Sequence, residues 1–232
     1  MIPDYLRPGR FIDSDHPAIV ALATSLVKDA TDDREKAVAL YYWARDEIRY
    51  NPYALGSNIS DYLASATLEA GEAWCVPKAL LLAALCRAVG IPARVGFADV
   101  RNHLSTERMR QMMETDLFYF HGYTSIYLGD KWVKATPAFN IELCERFGLE
   151  PLEFDGTRDS LYHPFDRAGN RHMEYVNERG EYEDLPYEEM MDVFRQHYPR
   201  MMRALEDSAV HATQWDSDVS EELKPQGSDQ GG

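Results

Sequence analysis

The sequence predicts an α+β fold in which a buried helix, carrying a cysteine at its N-terminal edge, packs on a small antiparallel sheet. Three observations predict it. The run Ala79-Leu80-Leu81-Leu82-Ala83-Ala84-Leu85 is apolar on nearly every face, and a helix without a polar face is surrounded by protein. Pro77 lies in its first turn, and Gly90-Ile91-Pro92 stops it, so its start falls close to Cys75. Downstream, Tyr119 to Leu128 reads as a long strand, Gly129-Asp130 as a turn and Lys131 to Ala135 as a returning strand, a pattern of period two closed by turn residues.

The other elements follow in order. Asp13 to Asp15 offer caps and Pro17 a first-turn residue for a helix along Ile19, Val20, Leu22, Ala23, Leu26 and Val27. Thr31 is expected to cap a second helix, through Val38, Tyr41, Tyr42 and Ile48 to a stop at Asn51-Pro52. Asn51 to Ser65 reads as a loop, placed to wall a cleft beside Cys75. Past the buried helix, Arg94 to Ala98 is extended, and Arg101 to Asp116 is a polar, Met-rich excursion. On the long strand, Tyr119, His121, Tyr123, Ser125 and Tyr127 share one face. Beyond Asn140 come a short helix at Ile141 to Phe147, turns at Arg167 to Asn170 and Asn177 to Gly180 around a strand at His172 to Val176, and a helix opened by Pro186 and kinked by Pro199.

Length and composition bound the rest. The 232 residues are 45% apolar, with 14 Tyr, 9 Phe and 4 Trp, ample for a sizeable core. The expected organisation is a core at 1–140, an acidic extension packed on it at 141–213, and a disordered polar tail at 214–232. No apolar run reaches the ~18 residues that span a bilayer, and MIPDYLRPGR lacks the cationic and apolar regions of a secretory leader. The expectation is a cytoplasmic protein that binds no membrane. Three cysteines, an odd number without close pairing, exclude a disulfide framework and a C-x-x-C site. The net charge is −15, and from Ile141 onward 22 acidic residues face 9 basic ones. So acidic a surface disfavours nucleic acid.

Cys75 stands where unpaired backbone N–H groups and the positive end of a helix dipole favour thiolate. The same groups can face the oxyanion formed when a thiolate attacks a carbonyl. Cys86 and Cys144 read as small buried hydrophobes. His121, beside Gly122, is the candidate base, with His103 as a rival or substrate contact. His16, His163, His172, His197 and His211 receive no role. No HExxH or Cys/His spacing suggests a metal, and no cofactor is implied. Trp74 and Tyr53 are candidate walls of the substrate pocket, as is Tyr123, and Glu72 is expected to face solvent.

The runs GEAWCVPKALLLAALCRAVGIPARVGFADV and FHGYTSIYLGDKWVKATPAFN resemble the transglutaminase-like superfamily of cysteine enzymes, whose core is papain-like. The match spans about Tyr41 to Phe139: a Cys opening a central helix, the Arg87 to Arg94 stretch ending it, a strand His, and a Trp shortly before an acid-Pro pair. The resemblance implies Cys75 as nucleophile and His121 as base. It departs at the third member, where Thr136 precedes Pro137 in place of an acid. Thr136 can accept the second N–H of the imidazole but supplies no charge; Asn140, Asp155 and Asp99 are alternatives. Gly122-Tyr123 also departs from the commoner small residue and Trp.

The expected activity is cysteine-dependent hydrolysis or acyl transfer on an amide or ester through a Cys75 thioester, with hydrolysis preferred because no calcium loop is present and water needs no second site. A peptide, a protein or a small amide would serve as substrate. Glutamine-directed amine transfer and a non-catalytic binding module on the same fold are the alternatives, and self-association is open.

Overall fold

The computed structural model describes residues 2–103, 105–162, 164–206 and 215–222. Helices α1 (Pro17–Leu26), α2 (Asp33–Asp46) and α3 (Ala64–Ala70) surround α4 (Cys75–Ala88). Every residue of α4 from Cys75 to Arg87 is buried, as the all-round apolar pattern requires. A short parallel pair, β1 (Arg49–Tyr50) and β2 (Glu72–Ala73), precedes the helix. On its other side lies a sheet of four antiparallel strands, β3 (Ala93–Asn102), β4 (Leu117–Leu128), β5 (Lys131–Ala135) and β6 (Met173–Tyr182), in the order β5-β4-β3-β6. The fold is therefore α+β, a cysteine-bearing buried helix on an antiparallel sheet.

Two charged residues inside α4 are held by backbone carbonyls. The fully buried Lys78 donates to Arg45 C=O at 2.8 Å and to Ile48 C=O, capping the C-terminal end of α2, where a cation is favoured. Burial pushes its ammonium down to about 7. Arg87 reaches three carbonyls, of Ala93, Arg7 and Glu183, at 2.8, 2.7 and 2.5 Å. It thereby ties the N-terminal segment and the stretch just after Tyr182 to the C-terminal end of the helix.

Several elements differ from the sequence expectation. The cap of α2 is Asp32, which accepts from Glu35 N–H, while Thr31 donates to the Glu35 carboxylate. α1 begins at Pro17 after His16, whose side chain makes no capping bond. The excursion after β3 contains α5 (Glu107–Met113), capped by Thr106. Asn177 to Gly180 is no turn: it lies within β6, which pairs with β3 from Asn102–Met173 to Val95–Tyr182 and absorbs its irregularities as two register shifts. The segment after Asn140 thus supplies a strand of the central sheet. It continues through α6 (Ile141–Phe147), α7 (Tyr187–His197) and α8 (Pro199–Glu206) to α9 (Trp215–Glu222).

That last helix corrects part of the expected disordered tail. Trp215 and Val219 are buried, and Asp218 accepts from Tyr53 Oη at 2.6 Å. An apolar pair four residues apart is enough to seat one helical face. Residues 207–214 and 223–232, with His211, and also His163, lie outside the described residues. Among the described residues no helix is long and apolar enough to cross a membrane.

Replacing Lys78 by Met keeps the apolar stem but strands two buried carbonyls. The expected result is a loss of about 2 kcal/mol, seen as a lower urea midpoint with an unchanged slope.

Candidate active site

The site begins with a close approach between two backbones. A Cβ built on Gly122 would lie 2.9 Å from Val76 Cα and 3.3 Å from Cys75 O, so only glycine lets β4 lie this near the first turn of α4. Thr124 fastens the same contact by donating from Oγ1 to Ala79 C=O at 2.8 Å. The Cys75 sulfur consequently faces the backbone N–H groups of Gly122, Val76 and Cys75 itself. Burial still dominates and pushes the thiol up to about 11, with those N–H groups opposing it.

Cys75 and His121 line one narrow cleft. Its walls are Tyr50, Pro52 and Leu55 from the segment around β1, Trp74 at the cap of α4, and Met109 and Met113 from α5. Phe118 and Tyr119 of β4, and Phe194, Tyr198 and Met201 from α7 to α8, complete it. The cavity is about 40 Å³, room for a few water molecules. Neither Cys75 nor His121 is more than 6% exposed. Burial, with His172 nearby, pushes the His121 imidazole down to about 4. In this closed arrangement the neutral thiol and the neutral imidazole are therefore the stable forms.

On its far side His121 lines a second cavity, of about 20 Å³, together with Thr136 and His172. The Thr136 hydroxyl is fully buried and has no hydrogen-bond partner among the described residues. Of the four residues considered for the third role, Thr136 alone shares this cavity. Asn140 uses Oδ1 to accept from Tyr50 N–H at 3.1 Å. Asp155 lies at an exposed turn, where Oδ1 accepts from Thr157 N–H and Oγ1 at 2.7 and 2.8 Å and Oδ2 faces Arg158. The buried Asp99 accepts from Phe120 N–H at 3.2 Å, Arg179 Nε at 2.5 Å and Asn177 Nδ2 at 3.2 Å.

The candidate pocket residues divide similarly. Trp74 lines the cleft, edge-on to Tyr62. Tyr53 lies outside the cleft lining, tied through its hydroxyl to Thr106 and Asp218. His103 is half exposed and pairs with Glu174 at 2.8 Å, away from the cleft. Tyr123 sits over Gly96, with its hydroxyl 3.4 Å from Glu178. Glu72 is only partly exposed and accepts from Asn51 at 3.1 Å. Sequence reasoning missed His172, which is buried and packs on Phe139 with ring centroids 5.8 Å apart. Nothing in its local pattern marks it, because its partners lie far off in sequence.

The β4 backbone is irregular just before His121. The pairing steps from Ala98–His121 to Val100–Phe118, so β4 holds one residue more than β3 there, and Phe120 takes φ +58°. For a non-glycine residue that conformation costs about 1–2 kcal/mol. Tyr119 and His121, expected on one face, both line the cleft on either side of this bulge.

A Cys-led buried helix against an antiparallel sheet, with a strand histidine in the same cleft, defines a papain-like cysteine-enzyme core. The chain belongs to the transglutaminase-like superfamily, whose family model matches residues 20–137, a fold family of cysteine-dependent hydrolases and acyltransferases. Among solved structures it is similar to a candidate cysteine protease from Cytophaga hutchinsonii, with 24% identity and a TM-score of 0.46, over 79% of this chain and 47% of that one. It is also similar to a candidate protease from Parabacteroides distasonis, with 15% identity and a TM-score of 0.37, over 57% of this chain and 24% of that one. The chain thus spans less than half the length of either. A comparison with the curated proteins finds none that matches.

Gly122→Ala is expected to force β4 off the helix, since the nearest atom a Cβ would meet, at 2.9 Å, belongs to the Val76 backbone and cannot swing aside. The variant should label at Cys75 at least tenfold more slowly with iodoacetamide than the wild type, with a lowered Tm. An unchanged rate would show that the close approach does not set the thiol.

Proposed function

We propose that the protein hydrolyses an amide or ester bond through a covalent Cys75 intermediate. The observation that supports this reading is the single cleft shared by Cys75, at the N-terminus of a buried helix and faced by three backbone N–H groups, and His121. With both groups neutral at rest, the proton moves as the bond forms. The Cys75 sulfur attacks the carbonyl carbon while His121 takes the thiol proton. The resulting oxyanion is stabilised by backbone N–H donors of the kind that surround the sulfur. Collapse breaks the bond to the leaving amine or alcohol, which receives the proton from His121 and leaves a thioester. Water, giving a proton to His121, then attacks the thioester, and the carboxylic acid and the free thiol are released.

The substrate is a peptide, a protein or a small amide. Apart from His121 the cleft is lined by apolar and tyrosine side chains, which suits an uncharged acyl group. Water is the acceptor because it needs no second binding site.

The test is thiol labelling followed by assay. Cys75 should be alkylated at least tenfold faster than Cys86 or Cys144, because the N-terminal backbone N–H groups of α4 face its sulfur and His121 shares its cleft. His121→Ala should remove that excess, and Cys75→Ala should abolish turnover of a small aryl ester. Equal, slow labelling of all three cysteines would sink the proposal.

The pH profile supplies a second prediction. His121 must be neutral to accept the proton, and its imidazole is held down at about 4, so kcat/KM should stay level from neutral pH to about pH 5. It should then fall as the ring protonates. An acid limb at the ordinary histidine value of ~6.5 would show that the working cleft is hydrated rather than closed.

A further inference from the structure

Both backbone N–H groups of the bulge in β4 are taken by side chains from elsewhere in the fold. Tyr119 N–H donates to Tyr198 Oη at 2.6 Å, and Tyr198 in turn donates to Leu117 C=O at 2.8 Å. Phe120 N–H donates to Asp99. Asp99 is itself oriented by Arg179 and Asn177 of β6. The Arg179 guanidinium also lies 4.4 Å from the centre of the Phe120 ring and 5.7 Å from that of Tyr119. A left-handed position in a bulge ordinarily falls to glycine, whereas here it is a fully buried phenylalanine packed on Phe97 and Phe194. Such a conformation persists only where its surroundings over-determine it.

We propose that Asp99, locked by Arg179, is a positioning residue: it holds the Phe120 bulge and thereby sets where His121 stands relative to Cys75. The inference rests on the catalytic reading of the Cys75–His121 cleft. It gives Asp99 a different part from that of a triad acid. The carboxylate acts as an acceptor for a backbone N–H one residue from the base, and its charge serves Arg179. A bulge re-aims the side chains beside it, so loosening this one displaces the imidazole directly. It also gives the acidic C-terminal region a task, since Arg179, Asn177 and Tyr198 all come from it.

Two measurements on the full-length protein test this. Amide hydrogen exchange in the wild type should show Phe120 N–H protected to the same degree as the paired amides of β4; free exchange would overturn the clamp whatever the enzyme does. Cys75 alkylation and ester turnover should then separate two variants. Asp99→Ala, which removes the acceptor, should lower the Cys75 alkylation rate and kcat at least tenfold, with KM within twofold. Asp99→Asn, which keeps an acceptor for Phe120 N–H but no charge, should stay within threefold of the wild type. The double variant Asp99→Asn, Arg179→Gln repeats the second arm without an unpaired guanidinium. Equal losses in the Asn and Ala variants would mean that the charge matters and would overturn the positioning role. So would an Ala variant, folded by circular dichroism, that labels at the wild-type rate. Slow wild-type labelling at Cys75 would instead count against the catalytic reading, while the exchange result would still decide the clamp.

Discussion

The contact on which the rest depends is the backbone-to-backbone approach of Gly122 to Cys75 and Val76. A helix buried on every side cannot satisfy the N–H groups of its first turn with water. In this fold a glycine of the strand is laid against that turn, beside the Cys75 sulfur and the N–H groups that face it. The same approach fixes His121, one residue earlier on the strand, at the edge of the cleft. The Cys75 thiol and the His121 imidazole are thus placed by one packing event and not by two independent ones. Lys78, Arg87 and Thr124 then satisfy the polar groups that burying the helix would otherwise strand.

Burial also decides the charge state. It pushes the thiol up and the imidazole down, and three N–H groups do not reverse that. A buried carboxylate beside a neutral imidazole would need its own compensation, so a threonine in the third position is consistent with the rest of the site. The cavity shared by His121, Thr136 and His172 is otherwise lined mainly by apolar side chains, among them Phe139, Leu149, Leu152 and Met173, with Glu150 beside them. A hydroxyl can accept an imidazole N–H but supplies no charge to stabilise an imidazolium. The departure from the family pattern at Thr136 and the closed, apolar cleft are in that sense one property.

What the sequence made legible was whatever is encoded over a few neighbouring residues. The limits of α4 follow from Pro77 and Gly90, its burial from Ala79 to Leu85, and the hairpin of β4 and β5 from Gly129-Asp130. The approach of Cys75 and His121 could be anticipated because a helix start and a strand histidine are both local signals. Partners distant in sequence were not legible. Asp99 meets Arg179, Lys78 meets Arg45 and Ile48, and His172 meets His121 only after the sheet has closed. Nor was β6, since Asn177 to Gly180 has turn composition and becomes strand only because β3 offers a paired edge; tertiary context overrides propensity there. Phe120 is the sharpest case, for no rule of propensity places a phenylalanine at a positive φ.

The acidity of the C-terminal half suggests that charge attaches it to the nearly neutral core, and ion pairs do cross between them: Arg49–Asp216, Lys134–Glu178 and Arg94–Glu181. Magnitudes argue otherwise. The Asp216 and Glu178 side chains are more than half exposed, and such pairs contribute about 0–1 kcal/mol each. Fully burying one large apolar side chain contributes about 1.5–3 kcal/mol, and this region buries Met190, Met191, Phe194, Tyr198, Met201, Trp215 and Val219. Apolar packing therefore holds the segment, and it does so at the cleft, where Phe194, Tyr198 and Met201 form part of the wall beside Cys75. The surplus of carboxylates is left to the surface, where it governs solubility and the sign of the field an approaching substrate meets. A segment fastened by side chains that also line the cleft cannot be displaced without changing that cleft, and this couples the stability of the C-terminal half to the geometry of the site.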